Sequence, residues 1–208
     1  MYKYVAKYFL LERVYRFCNF FANKALLIGL FRFFIMSYIC LFILPSDSVQ
    51  SEVYRILFVH VPSAIMSELI YLFLAVNGFI YLVWRTKISA IFLNSAISIG
   101  LIFTALVLIT GSIWGKPTWG TWWAWDARIT SMLILFFFYT LYLLSFRIFE
   151  DQDRSNKISS IIAIFGAINI PIIKFSVDWW NTLHQPASIS LTEKSAIHSS
   201  MIACWFVQ

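Results

Sequence analysis

Charge is what this chain has least of. Only 12% of its 208 residues are Asp, Glu, Lys or Arg, about half the roughly 25% of ordinary globular chains, whereas 61% are hydrophobic and 19% aromatic. That balance excludes a soluble domain. The three cysteines, Cys18, Cys40 and Cys204, form no CxxC pair, which sets aside dithiol redox chemistry. No GxxxxGKS/T phosphate loop occurs, so any ATP-driven step needs another component. No small-residue cleavage site follows the first apolar run, which therefore reads as a retained span and not a signal peptide. The formal charge of +6 does not point to nucleic acid, because the basic residues flank apolar spans instead of forming one face.

What the chain does have is a series of apolar stretches, each near or above the roughly 20 residues that a spanning helix requires. They run over about 24–44, 56–84, 88–113, 129–149 and 158–177. The pattern predicts an all-α, polytopic transmembrane helix bundle with five full spans. The last apolar run, 195–208, has 14 residues and is expected to be a short or truncated sixth span. The second span, at about 43 Å as helix, exceeds the hydrocarbon thickness, so its outer end projects. Pro171 should kink the fifth. Residues 1–23 are basic and aromatic and suit a cytoplasmic interfacial segment lying on anionic membrane lipid. Residues 24–208 are then one transmembrane domain.

Basic residues fix the orientation. The N-terminus and the links near 85–87 and 147–157 hold ten Lys and Arg, whereas the opposite side holds five. Positive-inside logic puts the N-terminus in the cytoplasm. Counting crossings then places the 45–55 link, the loop after the third span and the 178–194 loop together on the outer face. His60 and His184 fall there, while His198 lies in the final run and receives no role. Between them, Trp114, Trp119, Trp122, Trp123 and Trp125 crowd into twelve residues that close on Asp126. Gly115 and Gly120 allow close backbone approach and Pro117 should block helix through the middle, which predicts a flat aromatic platform for a large planar guest. Trp179 and Trp180 read as an interfacial belt.

Two imidazoles beside an indole surface are most simply explained by an iron porphyrin. The macrocycle buries apolar area against aromatic rings, and the iron takes imidazole nitrogen axially. Arg55 and Arg128, both on the outer side, offer bidentate pairing to its propionates. A bare zinc or copper ion would leave the tryptophans unexplained. No CxxCH motif is present, so the haem would be b-type and non-covalent. Asp126 could orient the loop, cap the fourth span or accept from a tryptophan N–H. Deeper in, Glu68 and Arg32 both reach near mid-bilayer, where charges are usually paired, which predicts an ion pair between them.

These residues carry a resemblance. The block Trp114-Gly115-Lys116-Pro117 through Trp119-Gly120-Thr121-Trp122-Trp123-Ala124-Trp125-Asp126-Ala127-Arg128 resembles the WWD domain of haem-handling membrane proteins, here the loop 114–128. The stretches Tyr54-Arg55-Ile56, His60-Val61-Pro62 and Asp178-Trp179-Trp180-Asn181-Thr182-Leu183-His184-Gln185 are similar to those of one member family, haem exporter protein C (cytochrome c maturation protein C). The resemblance implies a bacterial inner-membrane protein, usually of six spans with both termini cytoplasmic. It implies that His60 and His184 are axial haem ligands, that the tryptophan loop holds the macrocycle and that Arg55 and Arg128 lie near the haem. It also implies partners: a periplasmic haem chaperone, the ATPase and membrane subunits of an ABC transporter, and a small single-span membrane protein. Such a chain presents haem to the chaperone during cytochrome c biogenesis without bond-making catalysis. The alternatives are a haem exporter subunit proper or a haem lyase-type enzyme of the same WWD superfamily. A cytochrome b-like electron carrier would need histidines near both faces, and none faces the cytoplasm here.

Overall fold

The computed structural model describes residues 11–47, 50–180 and 182–184. The expected sixth span and His198 lie outside the described residues. The chain divides into two compact units, Met1–Pro45 with Ser199–Gln208, and Ser46–His198. The first contains α1 (Leu11–Tyr38), which continues as a π-helical turn at Ile39–Ile43. This helix passes without a break through residue 24, where composition alone places the start of the first span.

The second unit begins with an irregular link and a 3₁₀ turn, Val53–Ile56. It continues as α2 (Leu57–Trp84), α3 (Lys87–Trp119), α4 (Ala127–Ile148), α5 (Gln152–Ala167) and α6 (Asn169–Trp179). No strand occurs among the described residues. Among the described residues, five helical segments are long and apolar enough to cross a membrane: Glu12–Tyr38, Val53–Trp84, Lys87–Trp119, Ala127–Ile148 and Gln152–Trp179. The protein is thus a polytopic helix bundle.

Each turn between helices is closed by local chemistry. Arg85 takes a left-handed conformation (φ 52°) and donates its amide to Tyr81, after which the Thr86 hydroxyl caps α3 through the Ser89 amide. Asp126 and Asp151 cap α4 and α5 in the same manner. The links between crossings are short, so successive crossings of this unit run antiparallel, and α2 packs on α3 and α5 while α4 packs on α3, α5 and α6.

In lipid there is little hydrophobic drive between helices, so close packing and hydrogen bonds hold them together. Three fully buried tyrosines illustrate this. Tyr71 donates to the Ile162 carbonyl at 3.1 Å, Tyr139 to Ser67 at 2.7 Å and Tyr142 to Leu93 at 3.3 Å. Gly100 and Gly166 make room for two of them, since a Cβ at either would collide with Tyr139 or Tyr71.

Two expectations about proline part company. The crossing that contains Pro171 does break, at Ile168 between α5 and α6, because proline has no amide for the carbonyl one turn earlier. Pro117, however, does not block helix: α3 runs through it to Trp119. Proline gives up only its own bond to residue 113, and here it stands in the last turn. Gly120, at φ 78°, ends the helix by donating to the Lys116 carbonyl at 3.1 Å. The third span is therefore longer than 88–113, and Trp114 and Trp119 belong to a helix and not to a loop.

Candidate functional site

The antiparallel order gathers the start of α2, the end of α3, the start of α4 and the chain beyond α6 at one end of the second unit. His60 lies in the first turn of α2. Its Nδ1 is 2.9 Å from the Thr110 hydroxyl of α3. That hydroxyl donates its one proton to the Leu106 carbonyl at 2.6 Å, so toward His60 it can only accept. The His60 proton therefore sits on Nδ1, and Nε2 keeps its lone pair. Gly111 lies alongside, where a Cβ would come within 3.1 Å of the imidazole Cε1.

His184 follows α6 on a short link and reaches the start of α4. Its Nδ1–H donates to Asp126 Oδ2 at 2.7 Å. Asp126 is well placed to receive it. Partial burial works to raise its carboxyl, but hydrogen bonds from the Ile129 amide, His184 and the Thr182 hydroxyl outweigh this and hold it below the ordinary carboxylate range. Burial lowers His184 below the usual imidazole value, against the pull of Asp126. The pair is thus a carboxylate and a neutral imidazole, again with Nε2 unprotonated. The two side chains are only 6% and 17% exposed. Thr182 locks the corner by donating to Asp126 Oδ2 at 2.9 Å and accepting from the His184 amide at 2.9 Å.

Each imidazole also meets an indole of α3. Trp114 lies edge-to-face with His60 at 5.7 Å between centroids, and Trp119 with His184 at 4.8 Å. Trp114 Nε1 donates to Gln50 at 3.0 Å, and Trp119 packs where Gly115 lacks a Cβ. The remaining tryptophans follow in the 120–126 link. Trp123 is half-buried and meets Trp125 at 5.5 Å and 74°, while Trp122 and Trp125 are 59% and 76% exposed. Trp123 and Trp125 thus stand edge-on to each other, and Trp114 and Trp119 each stand edge-on to an imidazole.

The two arginines differ. Arg55, in the 3₁₀ turn that packs against α3, is 14% exposed and pairs through Nε with Glu52 at 2.5 Å. Arg128 sits in the first turn of α4 and makes one long bond, 3.4 Å from Nη2 to the Lys174 carbonyl. Among the described residues, its Nε and the Trp123 Nε1 are buried donors with no acceptor. Such donors are uncommon and mark places where an acceptor belongs. A shallow depression lined by Ala124, Trp125, Asp126, Thr182 and Leu183 opens beside them.

Of the residues that the sequence singles out, the structure brings His60, His184, Trp114, Trp119, Trp123, Asp126 and Arg128 to this end of the unit. Arg55 stands on the adjoining turn, and Trp122 and Trp125 extend outward. Sequence reasoning missed Thr110, Gln50 and Thr182, and it missed that Asp126, besides capping α4, holds His184. For Thr182 the signal was present, as a hydroxyl two residues before a histidine commonly turns back on its amide. Thr110 and Gln50 are separated from their partners by 50 and 64 residues, and nothing local announces them. Glu68 is faced within this unit by Lys174 and Arg128. Arg32, its expected partner, belongs to the other unit.

The geometry agrees with the comparisons. A family model described as heme exporter protein C matches residues 4–208. A ccmC-like mitochondrial protein of cytochrome c biosynthesis from Marchantia polymorpha is 47% identical over 196 residues, covering 93% of this chain and 82% of the relative. The heme exporter protein C of Bradyrhizobium diazoefficiens is 44% identical over 158 residues, 76% of this chain and 60% of its own length. That of Escherichia coli strain K12 is 47% identical over 141 residues, 68% and 58% respectively. The chain thus spans less than two thirds of these two bacterial relatives. From the family match and these identities, the chain belongs to the haem exporter protein C family.

Proposed function

We propose that this protein binds b-type haem, non-covalently, at the end of the bundle that carries His60 and His184, and presents it to a soluble haem chaperone for cytochrome c biogenesis. The observation that carries the reading is the state of the two imidazoles. Each has its Nδ1 proton committed, to Thr110 and to Asp126, and each keeps Nε2 for a metal. A histidine ligand whose other nitrogen is held by a carboxylate or hydroxyl is the usual arrangement at metal sites. Iron would take the two Nε2 atoms, the indoles of Trp114, Trp119 and Trp123 would cover the macrocycle, and Arg128 with Trp123 Nε1 would meet its carboxylates.

The membrane is the bacterial inner membrane or, as the mitochondrial relative suggests, its mitochondrial counterpart. The excess of Lys and Arg in the sequence at the N-terminus and in the links near 85–87 and 147–157 supports a cytoplasmic or matrix N-terminus and a site on the outer face. The name of the bacterial relatives supports work within an export complex, with an ABC transporter ATPase and membrane subunit and a small single-span partner. No bond is made or broken in this reading; the chain positions its cargo.

The test is haem titration of the purified chain in detergent, read by absorption, for wild type, His60→Ala and His184→Ala. Each substitution should abolish the low-spin bands of a two-imidazole haem. Low-spin bands that persist unchanged in both variants would dismiss the reading.

A further inference from the structure

Glu68 is the one acid on α2 inside the bilayer segment, eight residues after His60 and so about 12 Å deeper along the helix. An ionisable side chain at such depth is expensive and calls for a role with a named partner. Its level is fixed by its neighbours. The Ser67 hydroxyl lies 3.9 Å from Met132 Sδ, and Tyr139 donates to the Ser67 carbonyl at 2.7 Å. Glu68 therefore stands about one turn of α4 below Arg128.

The charged groups around this spot come from three helices. Lys174 of α6 and Arg128 of α4 face Glu68. The acids acting on Arg128 are, in order of influence, Glu68, Asp126 and Asp178. Asp126 is already engaged by Ile129, Thr182 and His184. Among the described residues, Arg128 keeps a buried Nε without an acceptor and makes the long bond to the Lys174 carbonyl. Glu68 makes no ion pair within 4 Å, with this guanidinium or with Lys174, among the described residues.

We propose that Glu68 is the resting counter-ion of Arg128, and that a carboxylate of the porphyrin replaces it when haem binds. The inference rests on the haem-binding reading above. A porphyrin carboxylate can dock on the guanidinium directly and in bidentate geometry, a contact that Glu68 does not make among the described residues. Coulomb attraction falls with distance, so the nearer anion displaces the farther one electrostatically while Glu68 stays in place. Binding is then an exchange of counter-ions, and Glu68 lowers the grip on haem. That suits a protein whose cargo must leave.

The experiment loads the full chain in detergent with haem, or with haem whose two carboxylates are dimethyl esters, and follows release to excess apomyoglobin. Glu68→Gln should slow the release of haem about fivefold to tenfold, where tenfold corresponds to ~1.4 kcal/mol, and leave release of the ester unchanged. Arg128→Gln should erase the difference between the two porphyrins. Glu68→Met, neutral and compatible with lipid, gives the same reading if the glutamine variant does not fold. Equal or faster release of haem from both Glu68 variants overturns the inference while leaving haem binding intact. Failure of the wild-type chain to take up haem overturns the underlying reading, and this inference with it.

Discussion

Replacing Asp126 with asparagine separates two tasks that one carboxylate performs. Oδ1 accepts from the Ile129 amide at 2.8 Å and caps α4, while Oδ2 accepts from His184 Nδ1 at 2.7 Å and Thr182 at 2.9 Å. Asparagine offers one acceptor and one donor. If its oxygen keeps the cap, its amide nitrogen faces His184, which must then accept at Nδ1 and carry its proton on Nε2, where it cannot ligate iron. If the amide flips, the imidazole tautomer survives but the cap is lost, at about 1 kcal/mol. Either way the carboxylate that raises the ligand's basicity is gone. Loss of such an outer partner typically weakens metal affinity about 10–100-fold, so Asp126→Asn should lose haem affinity within that range while the helical content stays at the wild-type level. The assay is haem titration by absorption together with circular dichroism. The low-spin spectrum should give way to a five-coordinate one, restored in part by millimolar imidazole. Unchanged affinity with an unchanged spectrum would refute the assigned roles.

Two further outcomes follow from the same geometry. Burial, the largest influence, holds His184 below its ordinary value of 6.5 even with Asp126 pulling upward. In histidine-selective NMR of the haem-free protein its midpoint should therefore fall below 6.5. The unfolded chain, titrating near 6.5, then binds more protons than the folded one as pH drops, so this group's contribution to stability is full above 6.5 and is lost on descent through the lower, folded midpoint. A midpoint at or above 6.5 contradicts this. Gly166→Ala would push a methyl into the Tyr71 hydroxyl that bonds Ile162. Overpacking of this kind costs about 1–3 kcal/mol, and Tyr71→Phe in the same chain should recover part of it in a denaturant titration.

Much of the arrangement was legible in advance because a membrane simplifies the geometry. Helices must cross fully, so counting apolar runs sorts every loop to one end or the other. That alone puts His60, His184 and the tryptophan-rich stretch together. Counting crossings says which end a residue occupies, but not which neighbour it meets. The bonds from His60 to Thr110 and from His184 to Asp126 depend on the azimuth of each helix, which packing decides across 50 and 58 residues of sequence. Local rules fared unevenly for a related reason. Proline breaks the helix at Ile168 but not at Pro117, since a helix about to end has few bonds left to lose. The edge-on meeting of Trp123 and Trp125 was likewise illegible, because composition carries no ring orientation.

The interruption at Ile168 divides the last crossing into dissimilar halves. Below it, α5 is held by the Tyr71–Ile162 bond and the close fit at Gly166. Above it, α6 is held to α4 by the Asn169 amide on the Ser131 carbonyl and leads toward His184. A rod would pass every tilt at its tip down to its base. A jointed one confines such adjustment to the upper storey, so that, if haem binds as proposed, one imidazole would settle on it while the bilayer interior keeps its registration.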